Sequence, residues 1–433
     1  MPRQVTASAW TEASRAIACA WSCIWFQDRP TTPLEVSRIG IGGAILLHYL
    51  LATPYLYLFW GDDGWMPRAA LAKEGLSPYA QSLFFYFSAP WQIAAIHAFF
   101  LFCCAAFMLG WRTSWVKWIV LIGQLSYDNR NANMGYGVDQ ILPCLLFLLC
   151  LAPIGGALSL DRVRAVRRAK RKNLAARLPQ FTSRWGFACR RLMQLQMAIV
   201  LFFSATEKMR GDVWWQGDAV WHVFTDANYH NGLLLDLLSS QYWIVNIATY
   251  GTLLIEIAYP FLIWGRKTRP FALAGAIFLH LNFAFLMRLY YFSFTMIMGH
   301  FAFVRPEWLH ALGAWWKEKI GPMEMIYDGH CGFCKRSMAW FLAFDGLGQI
   351  SVRDYRKNPS PVVSSKRMDK ALHLVLPDGR ALPGFEAYRY AVLRVPGLWW
   401  MIPFFYIPGL SRFFGHPIYN WVATNRSTLS KIY

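Results

Sequence analysis

Eight apolar stretches dominate this 433-residue chain, at residues 36–59, 91–110, 113–127, 138–154, 192–210, 241–264, 270–287 and 290–304. A helix needs about 20 predominantly apolar residues to cross a bilayer core, with a lower limit near 17. Backbone polar groups in lipid must be satisfied within the segment, so such runs can only be helices. The sequence therefore predicts an α-helical polytopic membrane protein with roughly eight transmembrane helices, the third and eighth being short. Composition agrees, since 56% of the residues are hydrophobic, 17% aromatic and only 15% charged, against about 25% charged in soluble domains.

The formal net charge of +19 is concentrated, not spread. Residues 161–191 hold 11 Lys/Arg against one Asp, and residues 323–433 hold 14 against seven Asp/Glu. Basic blocks beside apolar spans mark loops facing anionic cytoplasmic lipid, so no nucleic-acid partner is expected. Together with Arg112, Lys117 and the basic run 265–269, these blocks orient the spans with both termini cytoplasmic. The expected location is integral to a membrane, the inner one in a bacterial cell, with the lipid bilayer as the first partner. The N-terminal run Ala9–Phe26 has Glu12 and Arg15 on one face and lacks a small-residue cleavage pattern, which fits an amphipathic interfacial helix. The expected divisions are 1–30 for this segment, 31–305 for the membrane domain, 306–321 for a linker and 322–433 for a soluble α/β domain.

Seven of the nine cysteines lie in or beside apolar stretches and read as small buried hydrophobes. Cys331 and Cys334 differ. A strand-like run Met323–Tyr327 leads into Asp328-Gly329-His330-Cys331-Gly332-Phe333-Cys334 and then a helical pattern from Lys335 to Phe344. Strand, CxxC turn and helix form a thioredoxin-type redox site. Helix N-terminal N–H groups and the dipole favour thiolate, as do His330, Lys335 and Arg336 nearby. Cys331 is thus the expected nucleophile and Cys334 the resolving thiol. The competing readings are half of a zinc site and an inert remnant. Zinc wants four ligands, and beyond the pair this region offers only His330, His373 and His416, so no metal is expected. Strand-like runs at 350–355 and 372–376 and a helix over 385–395 complete a small α/β layer.

Ionisable residues at membrane depth are costly enough to be candidates for function. Glu207 and Lys208 close the fifth span, Glu256, His280 and His300 lie within later ones, and the polar run 126–131, with Arg130 and Asn131, is expected to break the third span from the fourth ahead of Asp139. Glu207 and Lys208 are adjacent, so their side chains diverge by about 100° on a helix and need not pair. Lys208 either snorkels to the interface or, when desolvated, serves as a base.

Two resemblances attach to these residues. Tyr327-Asp328-Gly329-x-Cys331-x-x-Cys334, Pro377-Asp378-Gly379, the run 384–388, Ile418-Tyr419 and Asn425-Arg426 resemble the DCC family of thiol-disulfide oxidoreductases, which implies a thioredoxin-like fold and a cytoplasmic thiol reductant or protein dithiol substrate. Gly110-Trp111-Arg112-Thr113, the run 126–131 with Gly137 and Asp139, Ala152-Pro153-x-Gly155, and Lys208-Met209-Arg210-Gly211-x-x-Trp214-x-x-Gly217 resemble the HTTM (horizontally transferred transmembrane) domain, as does Tyr259-Pro260 after Glu256. That family includes vitamin K-dependent gamma-carboxylase, and the resemblance implies Lys208 as a catalytic base working with a quinone-like lipid cofactor. Two classes of function follow: a dithiol oxidoreductase joined to a quinone-binding membrane domain, or a non-enzymatic, immunity-like or lipid-binding membrane protein whose CxxC serves as a redox sensor. A transporter is the weaker third, for want of evident inverted repeats.

Overall fold

The computed structural model describes residues 7–73, 80–131, 135–227, 229, 232–369 and 371–432. They divide into two compact units, 1–159 with 181–305, and 160–180 with 306–433.

Each of the eight apolar stretches is a helix in the first unit: Thr32–Ala52 continuing through short helical turns to Trp60, Pro90–Leu109, Thr113–Arg130, Gly137–Leu151, Arg184–Lys208, Tyr242–Leu262, Arg269–Met287 and Tyr290–His300. Five are long and apolar enough to cross a membrane: 32–60, 90–109, 184–208, 242–262 and 269–287. Thr113–Arg130, Gly137–Leu151 and Tyr290–His300 are shorter or more polar. The expected amphipathic segment is helix Ala7–Trp25. Phe271, Phe278 and Phe285, seven residues apart, stand out from helix Arg269–Met287 as a lipid-facing stripe, whereas Ala272, Ala276, Leu279 and His280 face inward. Small residues on the inward face let neighbouring backbones approach, which is how helices pack in lipid.

Helix ends are set by local chemistry. Pro90 occupies the first turn of its helix, where its missing N–H costs nothing. Gly110 ends that helix in the left-handed region at φ +71°, and a Cβ there would come within 2.4 Å of the Ser159 side chain. Ser183 caps Arg184–Lys208 by accepting from the Gly186 N–H at 3.0 Å.

One fully buried ion pair ties the first unit together. Arg38 Nε donates to Glu35 Oε2 at 3.1 Å, both side chains being 0% exposed. The remaining guanidinium donors reach the carbonyls of Phe107, of Met108 at 2.7 Å and of Leu158 at 2.7 Å. Glu35 Oε1 accepts from the Gly155 and Ala157 N–H groups at 2.6 and 3.1 Å. A buried charge is tolerable only when this fully satisfied.

One expectation changes here. The run Ser126–Arg130 is the last turns of helix Thr113–Arg130 and not a break, because Gln124 and Asp128 bond along the helix at 2.8 Å and Ser126 Oγ donates back to Ile122 O; residues 132–134 of the connection lie outside the described residues. The segment 306–321, expected as a linker, is occupied by helix Pro306–Ile320, whose Trp316 indole donates to Arg394 O at 3.0 Å.

The second unit has a four-stranded sheet. Strand Met323–Tyr327 pairs in parallel with Ile350–Asp354, Met323 opposite Ile350, and antiparallel with His373–Val375, Met325 opposite Leu374; Ala381–Pro383 closes the far edge. Helix Gly332–Ala343 makes the crossover between the parallel strands, and helix Gly384–Arg394 follows the hairpin. This βαβ unit, hairpin and helix is the thioredoxin-like order. Met323, Met325 and Tyr327 pack under Met338, Phe341, Leu374 and Val392, while Ile326 faces Tyr355, Val363 and Met368, so the central strand is buried on both faces. The basic helix Leu160–Lys172 belongs to this unit and packs against Gly332–Ala343, the helix that carries the thiols.

Candidate functional site

The C-terminal site is built where the parallel strands end. Cys331 is the N-cap of helix Gly332–Ala343 and its Sγ accepts the Cys334 N–H at 3.1 Å. The two cysteines are half-buried, joined as a disulfide, with Cα atoms 5.2 Å apart. This is where sequence reasoning placed them, and the first sulfur takes the position that helix N–H groups stabilise when negative.

The preceding loop is clamped by groups that the sequence did not single out. Asp354, the last residue of its strand, accepts from the Gly329 N–H at 3.0 Å and the Arg356 N–H at 3.1 Å. Gly329 is required by this contact, since a Cβ there would fall 1.9 Å from an Asp354 carboxylate oxygen. Asp328 Oδ1 accepts from the His330 N–H at 3.0 Å, and Arg356 bridges Asp328 at 3.3 Å and Asp369 at 2.7 Å. The hydroxyl of Tyr355 donates to Asp369 at 2.7 Å. The bond to Asp328 raises the Arg356 pKa, and burial followed by the bond to Asp369 raises that of Tyr355. His330 is exposed. The missed signal was the acidic-aromatic-basic run Asp354-Tyr355-Arg356 at the C-terminal end of the predicted strand 350–355, on the edge where a parallel βαβ unit places its site.

In the membrane unit, Lys208 Nζ donates to both oxygens of Glu256 at 2.8 Å and to Ser204 Oγ. The hydroxyl of Ser204 donates to Glu256 at 3.2 Å, and Trp214 places its ring 5.7 Å from the ammonium. Lys208 keeps 23% of its side chain exposed, against 2% for Glu256. His280 is buried and close enough to Lys208 to feel its charge, with its ring 5.3 Å from that of His300. His300 Nδ1 is 2.7 Å from the Tyr259 hydroxyl. Both nitrogens of His280 and Nε2 of His300 have no hydrogen-bond partner among the described residues.

Other residues expected at the membrane site lie elsewhere. Glu207 points outward, 67% exposed, and pairs with Arg210 at 3.0 Å on the same helix end. Arg130 donates to the carbonyls of Met66 at 2.9 Å and Gly61 at 2.7 Å, and Asn131 to that of Phe59 at 3.0 Å. These two hold the loop after Trp60. Asp139 caps its own helix by accepting from the Tyr136 N–H at 2.8 Å. No group of three or more metal-ligating side chains is found among the described residues.

A family model described as the HTTM domain matches residues 28–308, and one described as DCC1-like thiol-disulfide oxidoreductase matches residues 325–431. No curated protein and no solved structure matches the chain.

Proposed function

The chain belongs to the HTTM domain family and ends in a DCC1-like thiol-disulfide oxidoreductase domain, and from this we propose that it is a membrane-anchored dithiol oxidoreductase with Cys331 as nucleophile. The carrying observation is the Cys331 sulfur at the helix N-cap, hydrogen-bonded to the Cys334 N–H. In the reduced form a Cys331 thiolate attacks a substrate disulfide, forms a mixed disulfide and expels one substrate thiolate. Cys334 then attacks the Cys331 sulfur, releases the second substrate thiol and leaves the Cys331–Cys334 disulfide, so two electrons pass to the substrate. In this direction its substrate is a protein disulfide, reduced to the dithiol, and a cytoplasmic thiol reductant restores the Cys331 and Cys334 thiols; run in reverse, the oxidised pair takes its electrons from a protein dithiol. Both termini lie on the cytoplasmic side.

The test uses the full chain in membranes. Cys334→Ser accumulates a mixed disulfide with its partner, because attack survives and resolution does not, whereas Cys331→Ser accumulates none. Identical behaviour of the two variants overturns the assignment and leaves the redox-sensing reading.

For the membrane unit, a quinone-class lipid is the proposed ligand. The orphaned nitrogens of His280 and His300, beside a lysine with a tightly held carboxylate, form a donor set that suits two carbonyl or hydroxyl oxygens. Bound there, the lipid would supply a two-electron, two-proton couple. Glu256 and Ser204 orient the Lys208 ammonium, Lys208 is the group able to give up or take a proton, and the histidines donate to oxygen. Lys208→Arg should not replace it, since a guanidinium does not release its proton.

A further inference from the structure

A second polar enclosure of the membrane unit is unconnected with any chemistry assigned so far. Four helical segments, Thr32–Ala52, Leu56–Trp60, Thr113–Arg130 and Gly137–Leu151, meet around a cavity of about 370 Å³. Tyr49, Trp60, Tyr127 and Tyr136 contribute its aromatic wall, and Asp128 and Asp139 its charge. Drug-sized ligands occupy cavities from about 300 Å³ upward.

The two carboxylates repel one another, and neither has a cationic partner among the described residues. Nearby Arg130 is committed to Asp62 and to backbone carbonyls. Asp128 Oδ1 takes a bond from Gln124 at 2.8 Å, but its Oδ2 is buried with no partner among the described residues. Tyr49 is only 2% exposed, yet it lines the cavity and its hydroxyl meets no hydrogen-bonding group among the described residues. A buried unpaired carboxylate oxygen is costly, and a donor entering the cavity relieves it and meets the idle Tyr49 hydroxyl.

The chemistry of the walls selects that donor. A hard metal ion wants six or more oxygens, and no group of three or more His, Cys, Asp or Glu side chains that could hold one is found among the described residues, the cavity's two carboxylates being joined by the amides of Asn129, Asn131 and Gln140 and by rings. Ring faces attract cations, and aromatic cages with a carboxylate are how alkylammonium groups are held. An anionic or purely apolar guest would leave both carboxylates unpaired. We propose that this cavity is a binding site for an organic ammonium group, paired with Asp128 and Asp139 and enclosed by Tyr49, Trp60 and Tyr127. The same chemistry is carried by a free primary amine such as ethanolamine and by the headgroup of an ethanolamine phospholipid, whose –NH3+ groups both donate hydrogen bonds.

The experiment is thermal unfolding of the full chain in nanodiscs. In phosphatidylglycerol discs, ethanolamine hydrochloride is titrated against matched sodium chloride; a parallel sample is made in phosphatidylethanolamine discs. A free amine gives a saturable rise in melting temperature with ethanolamine that sodium does not reproduce. A lipid headgroup gives the rise on changing the lipid, with ethanolamine adding nothing in the phosphatidylethanolamine discs. In either case Asp128→Asn weakens the effect roughly tenfold, the loss of one charge-assisted contact. Tyr49→Phe, which deletes a single oxygen and keeps the ring, weakens it severalfold and serves if Asp128→Asn does not fold. Equal responses to ethanolamine and sodium with no lipid dependence overturn the proposal, and so does an undiminished response in these variants.

Discussion

Glu35–Arg38 and Glu256–Lys208 are both buried carboxylate–cation pairs of the membrane unit, and they are finished differently. Around Glu35–Arg38 the guanidinium also reaches three carbonyls, and two backbone N–H groups meet the carboxylate. Neither side chain touches solvent. Around Glu256–Lys208 the cation stays partly exposed, and two neighbouring imidazoles keep three nitrogens without partners among the described residues. A structural pair closes every valence because the low dielectric penalises any that stays open. A site leaves some open for a ligand. The degree of satisfaction, more than burial or charge, separates the closed pair from the one proposed as a site.

The strongest way to break this comparison is to remove one partner of the closed pair. Arg38→Met leaves Glu35 charged and alone, and should cost about 3–5 kcal/mol, read as loss of folded protein after extraction and a collapsed melting temperature. If Arg38→Met melts like the parent, the pair is not the clamp described.

Lys208→Ala should cost less, about 1–3 kcal/mol for lost hydrogen bonds to a charged group, because Lys208 already meets solvent. It should abolish lipid binding in the membrane unit while thiol exchange at Cys331 continues unchanged. Full retention of lipid binding would reduce Lys208 to an anchor.

His280→Phe sharpens the contrast further. Replacing an unsatisfied imidazole with an apolar ring of similar shape should be neutral or stabilising by about 1 kcal/mol, while lipid binding is lost. A destabilisation on the scale of Arg38→Met would show that the imidazole nitrogens are satisfied after all.

The smallest effect belongs to Glu207→Gln. Its exposed pair with Arg210 should contribute within about 0.5 kcal/mol, and neither melting temperature nor lipid binding should move.

Helix positions were readable because length and hydropathy are local properties, and all eight apolar runs became helices. The CxxC site was readable for the same reason: strand, turn and helix N-terminus are contiguous, so Cys331 and Cys334 could be given roles from spacing alone. Arg38 and Glu35 were also within reach, as opposite charges three residues apart at the start of the first apolar run, which was read only for its hydropathy. The polar stretch ending at Arg130 was misread as a break, since Ser, Asp and Asn also favour turns, whereas here they bond along or away from an unbroken helix.

What no local reading could supply is partnership across long separations. Lys208 and Glu256 are 48 residues apart, and which of Glu207 and Lys208 turns inward depends on the helix that packs alongside. Arg356 reaches Asp328 only because a parallel crossover brings the ends of two strands together. The basic run after Leu160 advertised its charge, but only the fold joined it to the thiol-bearing helix. By itself the sequence determined a polytopic helical membrane protein with a dithiol motif at a helix N-terminus, because periodicity and hydropathy act within a segment. Tertiary structure alone decided which charges are closed and which stay open, because satisfying a buried polar group is a property of everything that surrounds it.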